Sequence, residues 1–179
     1  MNAASPEAIV IGGSAGAFEA LSALLPGLAV DYPLPILIVV HLPPDRSSLF
    51  AELFRARCKI RVREAEDKEP IEPGVAYFAP PDYHLLVEAD RRLSLSVEEP
   101  VLYSRPSIDV LFESAADAYS GGLIGVVLTG ANSDGADGLK AVVEARGRRD
   151  RAKSKERLCD RNAGSSHRDL PRGPSAVVE

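Results

Sequence analysis

Residues 8–25 read Ala-Ile-Val-Ile-Gly-Gly-Ser-Ala-Gly-Ala-Phe-Glu-Ala-Leu-Ser-Ala-Leu-Leu. The first five, residues 8–12, are a short continuous apolar run, the pattern of a strand covered on both faces. Ala17, Leu21, Leu24 and Leu25 then share one face of a helix from about Phe18 to Leu25, and Pro26-Gly27 stops it. A buried strand that turns directly into a helix is the opening unit of an α/β sheet, and the rest of the chain repeats it.

Residues 35–40 (Pro-Ile-Leu-Ile-Val-Val) form a second continuous apolar run, with His41 at its C-terminal end. Pro43-Pro44-Asp45 leads into a helix from about Ser47 to Ala56, with Ser47 and Ser48 as its N-terminal residues. Residues 60–63 suit a short strand, and Glu64 to Glu72 a charged surface loop. Gly74 to Ala79 and His84 to Glu88 read as strands separated by Pro80-Pro81-Asp82. Leu93, Leu95 and Val97 alternate with polar residues, a half-exposed strand joined to its predecessor as a hairpin through Asp90-Arg91. Pro106 to Tyr119 reads as a helix with proline in its first turn. Gly122 to Leu128 is another buried strand, Thr129 to Gly135 a polar loop, and Ala136 to Ala145 a helix. The alternation predicts an α/β protein with a mainly parallel sheet and one antiparallel hairpin.

After Ala145 the pattern fails. Residues 1–145 hold 11 Lys and Arg against 21 Asp and Glu, whereas residues 146–179 hold 10 against 5, so the charge changes sign at one point. That contrast divides the chain into a domain over 1–145 and a basic, poorly ordered tail over 146–179, too poor in apolar residues to offset the entropy of ordering. The tail's cations could contact nucleic-acid phosphates, but it lacks aromatics for base stacking and the domain before it is acidic, so no nucleic-acid role is expected. The two cysteines, Cys58 and Cys159, form no C-x-x-C pair. They suggest neither a disulfide framework nor a metal site, and fit a reducing, cytoplasmic setting. No apolar run is long enough to span a bilayer and no signal peptide is visible, so membrane insertion is not expected.

Three polar side chains stand at or just beyond the C-terminal ends of apolar strands, where open parallel sheets bind ligands: Ser14, His41 and Asp134. Gly12-Gly13-Ser14-Ala15-Gly16 matches G-x-S-x-G between a strand and a helix, a turn that projects a hydroxyl outward and turns backbone N–H groups to the same space. A serine needs a base to take its proton, which suits His41, and an aspartate fixes the imidazole tautomer, which suits Asp134. The order Ser, His, Asp is not the Ser, Asp, His order of α/β-hydrolases. Each residue has another reading. The glycine-rich turn would also hold a phosphate or nucleotide, although its glycines do not match the dinucleotide fingerprint. His41 suits a structural role, and Asp134 a cap of the following helix. His84, beside Tyr83 in a proline-rich turn, suggests no partner and reads as structural.

Six collinear segments resemble the catalytic domain of the chemotaxis protein-glutamate methylesterases (the CheB type). They are Ile9 to Gly16, Val40 to Pro44, Arg63 to Asp67, Pro73 to Pro80, Ser104 to Phe112 and Val127 to Gly135. The resemblance runs from about residue 8 to residue 145. It implies a doubly wound α/β fold with helices on both faces of the sheet and a Ser14-His41-Asp134 triad. It also implies hydrolysis of glutamate γ-methyl esters on chemoreceptor cytoplasmic domains, with glutamine deamidation in some relatives and no metal or organic cofactor. Ala15 and Ala131 occupy positions that line the site, where the family more often has Thr and Met. Arg105 falls in a matching segment near the expected cleft, as a substrate contact or a structural ion pair. Two departures accompany the resemblance. The N-terminal phospho-receiver domain common in the family is not expected, because the sequence begins almost on the first strand. The stretch from Arg146 reads as a shifted reading frame or as a genuine basic tail in place of further strands and helices. A catalytically impaired relative that only docks on receptors would share these motifs.

Overall fold

The computed structural model describes residues 5–14, 16–41, 48–128, 133–145 and 148–151. In chain order the elements are β1 (Ala8–Gly13), α1 (Ala17–Leu24), β2 (Ile36–Val40), α2 (Ser48–Arg55), β3 (Arg61–Glu64), β4 (Val75–Phe78), β5 (His84–Val87), β6 (Leu93–Ser96), α3 (Ile108–Tyr119), β7 (Leu123–Val127), α4 (Ala136–Glu144) and β8 (Arg148–Arg151). Six strands form one parallel sheet in the order β3-β4-β2-β1-β7-β8. β5 and β6 pair antiparallel as a separate ribbon.

Successive side chains of the central strands point to opposite faces, and both faces are buried. Val10, Leu37, Val39 and Tyr77 join Ile108, Leu111 and Phe112 of α3 and Leu139 and Val142 of α4. Ile11, Ile36, Ile38 and Phe78 meet Leu21 of α1 and Phe54 of α2 on the other side. The helices therefore cover both faces, as a doubly wound sheet requires. On the second face Phe18, Phe50, Phe54 and Phe78 form an aromatic cluster with ring centroids 5.4–6.2 Å apart. Each such pair contributes roughly 0.5–1.5 kcal/mol beyond simple burial.

Two glycines let α3 approach closely. A Cβ on Gly12 would overlap the Ile108 Cγ2 methyl, so the glycine of the first motif is needed where α3 begins against β1. A Cβ on Gly138 would lie 2.6 Å from Phe112 Cβ and 3.1 Å from Asp109 Cα. Neither neighbour is the loose end of a side chain. Gly138→Ala is therefore expected to cost about 1–3 kcal/mol by overpacking, read as a lower urea midpoint; an unchanged midpoint would show that α3 and α4 slide apart freely.

Between β6 and α3 lies a tight turn in which Val101 and Ser104 exchange backbone hydrogen bonds of 3.1 and 2.8 Å. Its two central residues, Leu102 and Tyr103, both have positive φ, at 47° and 64°. Asn-Gly is the usual solution for such a pair, because bulky L-residues are strained there. Leu102→Asn with Tyr103→Gly is expected to raise stability by about 1 kcal/mol, measured as a higher melting temperature. A fall would mean that the two side chains pack usefully, although Tyr103 is fully exposed.

The elements expected between residues 8 and 145 are present with shifts of one or two residues at their ends. One strand was not expected. Residues 148–151 run parallel to β7, Ile124 opposite Arg148 and Val127 opposite Arg151. This corrects the reading of a patternless tail from residue 146 for these four residues. An edge strand is held by backbone hydrogen bonds and needs no apolar side chains, so the apolar pattern gave no sign of it. The rest of the expected tail, residues 146–147 and 152–179, lies outside the described residues.

Candidate active site

The chain leaves β1 toward β2 on one side and returns to β7 on the other, so the strand order reverses between β1 and β7. That is where an open parallel sheet forms a crevice at its C-terminal edge. Ser14 follows β1, His41 follows β2, and Asp134 lies in the loop after β7. Gly13 and Val40 are register partners, and the His41 N–H donates to the Gly13 carbonyl at 2.9 Å. Ser14 and His41 thus leave neighbouring strands at the same level, about 4.8 Å apart.

His41 and Asp134 meet through their side chains. His41 Nε2 lies 2.7 Å from Asp134 Oδ2 across 93 residues of sequence. Asp134 is 3% exposed and receives three further hydrogen bonds. The Ile108 N–H donates to Oδ2 at 2.8 Å, while Ser107 Oγ and the Asp109 N–H donate to Oδ1 at 2.8 and 2.9 Å. Burial alone would raise the pKa of this carboxyl, but the hydrogen bonds from His41, Asp109, Ile108 and Ser107 outweigh it and hold the pKa at about 2. An ionised carboxylate only accepts, so the His41 proton sits on Nε2 and the lone pair on Nδ1.

Asp134 is not the cap of the helix that follows it, one of the readings its sequence allowed. The N-cap of α4 is Gly135, at φ 101°, with no capping side chain of its own. Asp134 instead caps α3, whose N-cap Ser107 supplies one of its donors. The favour is returned: Asp109, on the first turn of α3, accepts from the N–H groups of Gly135 and Gly138 at 2.8 and 2.7 Å. Two helix N-termini thus exchange carboxylates, each aspartate lying in the positive end of the other segment's helix. Burial, followed by the nearby Asp134 charge, raises the Asp109 pKa.

The two shifts have opposite consequences for stability. Asp134, with its folded pKa depressed, contributes stability that is present above about pH 4, its ordinary range, and is lost as pH falls through about 2. Asp109, with its folded pKa raised, contributes in the opposite sense and loses its contribution as pH rises. Melting temperatures between pH 2 and 7 are expected to drop along an acid limb below about pH 4 that is shallower in Asp134→Asn. Superimposable acid limbs would remove Asp134 from this account.

Arg105 forms no ion pair among the described residues. Its Nη1 donates to the carbonyls of Val97 and Glu98 at 3.1 and 3.2 Å and ties down the loop before α3. Ala15 and Ala131 lie outside the described residues. Ser107 and Asp109 were not anticipated, and the only sign of Ser107 in the sequence was its place at the start of an apolar helix. Among the described residues no group of three or more His, Cys, Asp or Glu could hold a metal ion, and no helix is long and apolar enough to cross a membrane.

The sequence model of the CheB methylesterase family matches residues 9–156, and so runs past residue 145, where the expected resemblance ends. A Leptospira interrogans relative is 51% identical over 138 residues, 77% of this chain and 72% of that protein. A Caulobacter vibrioides protein named protein-glutamate methylesterase/protein-glutamine glutaminase 2 is 41% identical over 145 residues, 79% of this chain and 42% of that protein. The crystal structure of the Thermotoga maritima CheB methylesterase catalytic domain aligns with a TM-score of 0.78 and 33% identity, covering 82% of this chain and 79% of that one. The shared fold, the switch point and the match from β1 to β8 lead to one conclusion: this chain belongs to the CheB methylesterase family.

Proposed function

We propose that this chain is a serine hydrolase that removes methyl groups from glutamate γ-methyl esters of chemoreceptor cytoplasmic domains. The observation that carries the reading is the 2.7 Å bond from His41 to a buried, ionised Asp134, at the end of the strand beside the one that delivers Ser14. The names of the relatives, which pair methylesterase with glutaminase, support the same chemistry on a glutamine amide. The setting is cytoplasmic, where those receptor segments lie.

Ser14 Oγ attacks the ester carbonyl carbon as its proton passes to His41 Nδ1. Asp134 remains ionised and stabilises the imidazolium through Nε2. Backbone N–H groups that follow Ser14 receive the oxyanion. The tetrahedral intermediate collapses, the methoxy group leaves with the proton held by His41, and methanol departs. Water then attacks the acyl-enzyme with His41 again as base, which releases the glutamate and restores Ser14. Arg105 holds the loop beside the cleft and contributes to its substrate-facing wall.

Methanol release from a methyl-esterified receptor fragment, run beside fluorophosphonate labelling of Ser14, tests both halves of the reading. Labelling without methanol would leave a serine hydrolase of another ester. No labelling at Ser14 would sink the nucleophile assignment.

A further inference from the structure

His84 is 1% exposed and opens β5, well away in sequence from Ser14, His41 and Asp134. Its ring bridges two segments. Nδ1 accepts the Ser107 N–H at 3.2 Å, and Nε2 lies 3.1 Å from the Glu99 carbonyl. An amide N–H only donates and a carbonyl only accepts, so both contacts fix the same tautomer: proton on Nε2, lone pair on Nδ1. Ser107 is itself fully buried. Its hydroxyl and the N–H groups of the next two residues make three of the four hydrogen bonds to the Asp134 carboxylate. These donors sit on consecutive residues, so a rotation of the peptide entering Ser107 displaces all three together. The bond to His84 Nδ1 is what holds that peptide.

We infer that His84 is a positioning residue for ester hydrolysis: through the Ser107 N–H it orients the start of α3, and through α3 the Asp134 carboxylate that aligns His41. The inference rests on the serine-hydrolase reading of the site. It predicts that the acceptor at the Nδ1 position is what matters. His84→Asn places an amide oxygen near that position and keeps the bond to Ser107. His84→Gln places an amide nitrogen near the Nε2 position and keeps the bond to Glu99 instead. The Asn variant gives up the Glu99 contact and the Gln variant the Ser107 contact, so the pair separates the two bonds.

The test compares the intact chain with these two variants on a methyl-esterified receptor fragment, together with the low-field proton resonance of the His41–Asp134 hydrogen bond, which needs no substrate. His84→Gln is expected to lose roughly 10- to 100-fold in kcat with KM nearly unchanged, because a misplaced aspartate costs transition-state rather than ground-state binding. Its low-field resonance is expected to move or broaden. His84→Asn is expected to stay within about threefold of the parent in kcat and to keep the resonance. Equal losses in both variants, or none in either, would overturn the inference. Should His84→Gln not fold, the Asn variant decides alone: parent-like behaviour supports the role and a loss overturns it. A parent chain that shows the resonance and its His84 dependence but releases no methanol would overturn the ester reading and leave the positioning of Asp134 standing.

Discussion

Ser14→Ala is expected to lower kcat for methyl-ester hydrolysis by on the order of 10⁴–10⁶-fold, the range seen when a nucleophile is removed from a cooperating triad. Stability should barely change. Ser14 is only partly buried, and the bond that shapes its turn, from the Ala17 N–H to the Ser14 carbonyl at 2.8 Å, belongs to the backbone. Residual turnover would come from substrate binding and the oxyanion donors alone. The measurement is a steady-state methanol assay with a melting curve on the same sample. Retained activity in a folded Ser14→Ala chain would show that another group attacks the ester.

Asp134→Asn should be damaging in two ways at once. The carboxylate is surrounded by donors only: the His41 ring, the hydroxyl of Ser107 and the N–H groups of Ile108 and Asp109. An amide offers one oxygen and one NH₂. If the oxygen keeps Ser107 and Asp109, the NH₂ faces His41 and the Ile108 N–H. The histidine must then move its proton from Nε2 to Nδ1, which removes the lone pair owed to Ser14. A wrong tautomer costs on the order of 10⁴-fold in kcat. The stranded Ile108 N–H costs a further 1–3 kcal/mol or so of stability, since a buried donor has lost its acceptor. Kinetics and urea denaturation separate the two effects. A variant that is inactive yet as stable as the parent would mean that α3 finds another cap.

Much of this was legible in the residues. Continuous apolar runs such as Ile36–Val40 mark strands covered on both faces, and the alternation at Leu93, Ser94, Leu95 and Ser96 marks a ribbon with one face out. Ser14, His41 and Asp134 could be picked out because strand ends are visible as places where apolar runs stop. The supporting residues were not legible. Ser107 looks like any helix-capping serine and Asp109 like any acidic first-turn residue. Their targets lie 25–29 residues away in sequence, and only the packing of α3 against α4 brings them together. His84 shows no partner in sequence, because its two partners are backbone groups, which carry no residue identity. β8 escaped for a related reason: its pairing with β7 is written in main-chain geometry, and its side chains, Arg-Arg-Asp-Arg, argue against it.

The exchange of carboxylates between α3 and α4 bears on how this molecule tolerates genetic change. Asp109 braces Gly135, the neighbour of Asp134, by accepting its N–H. In a library of random single replacements sorted by turnover, lesions at Asp109 should fall among those at His41 and Asp134. A graft that moves either helix into another scaffold without its counterpart carries away half of a shared joint. The unit that can be transplanted, recombined or redesigned is the whole stretch from Ser107 to Gly138.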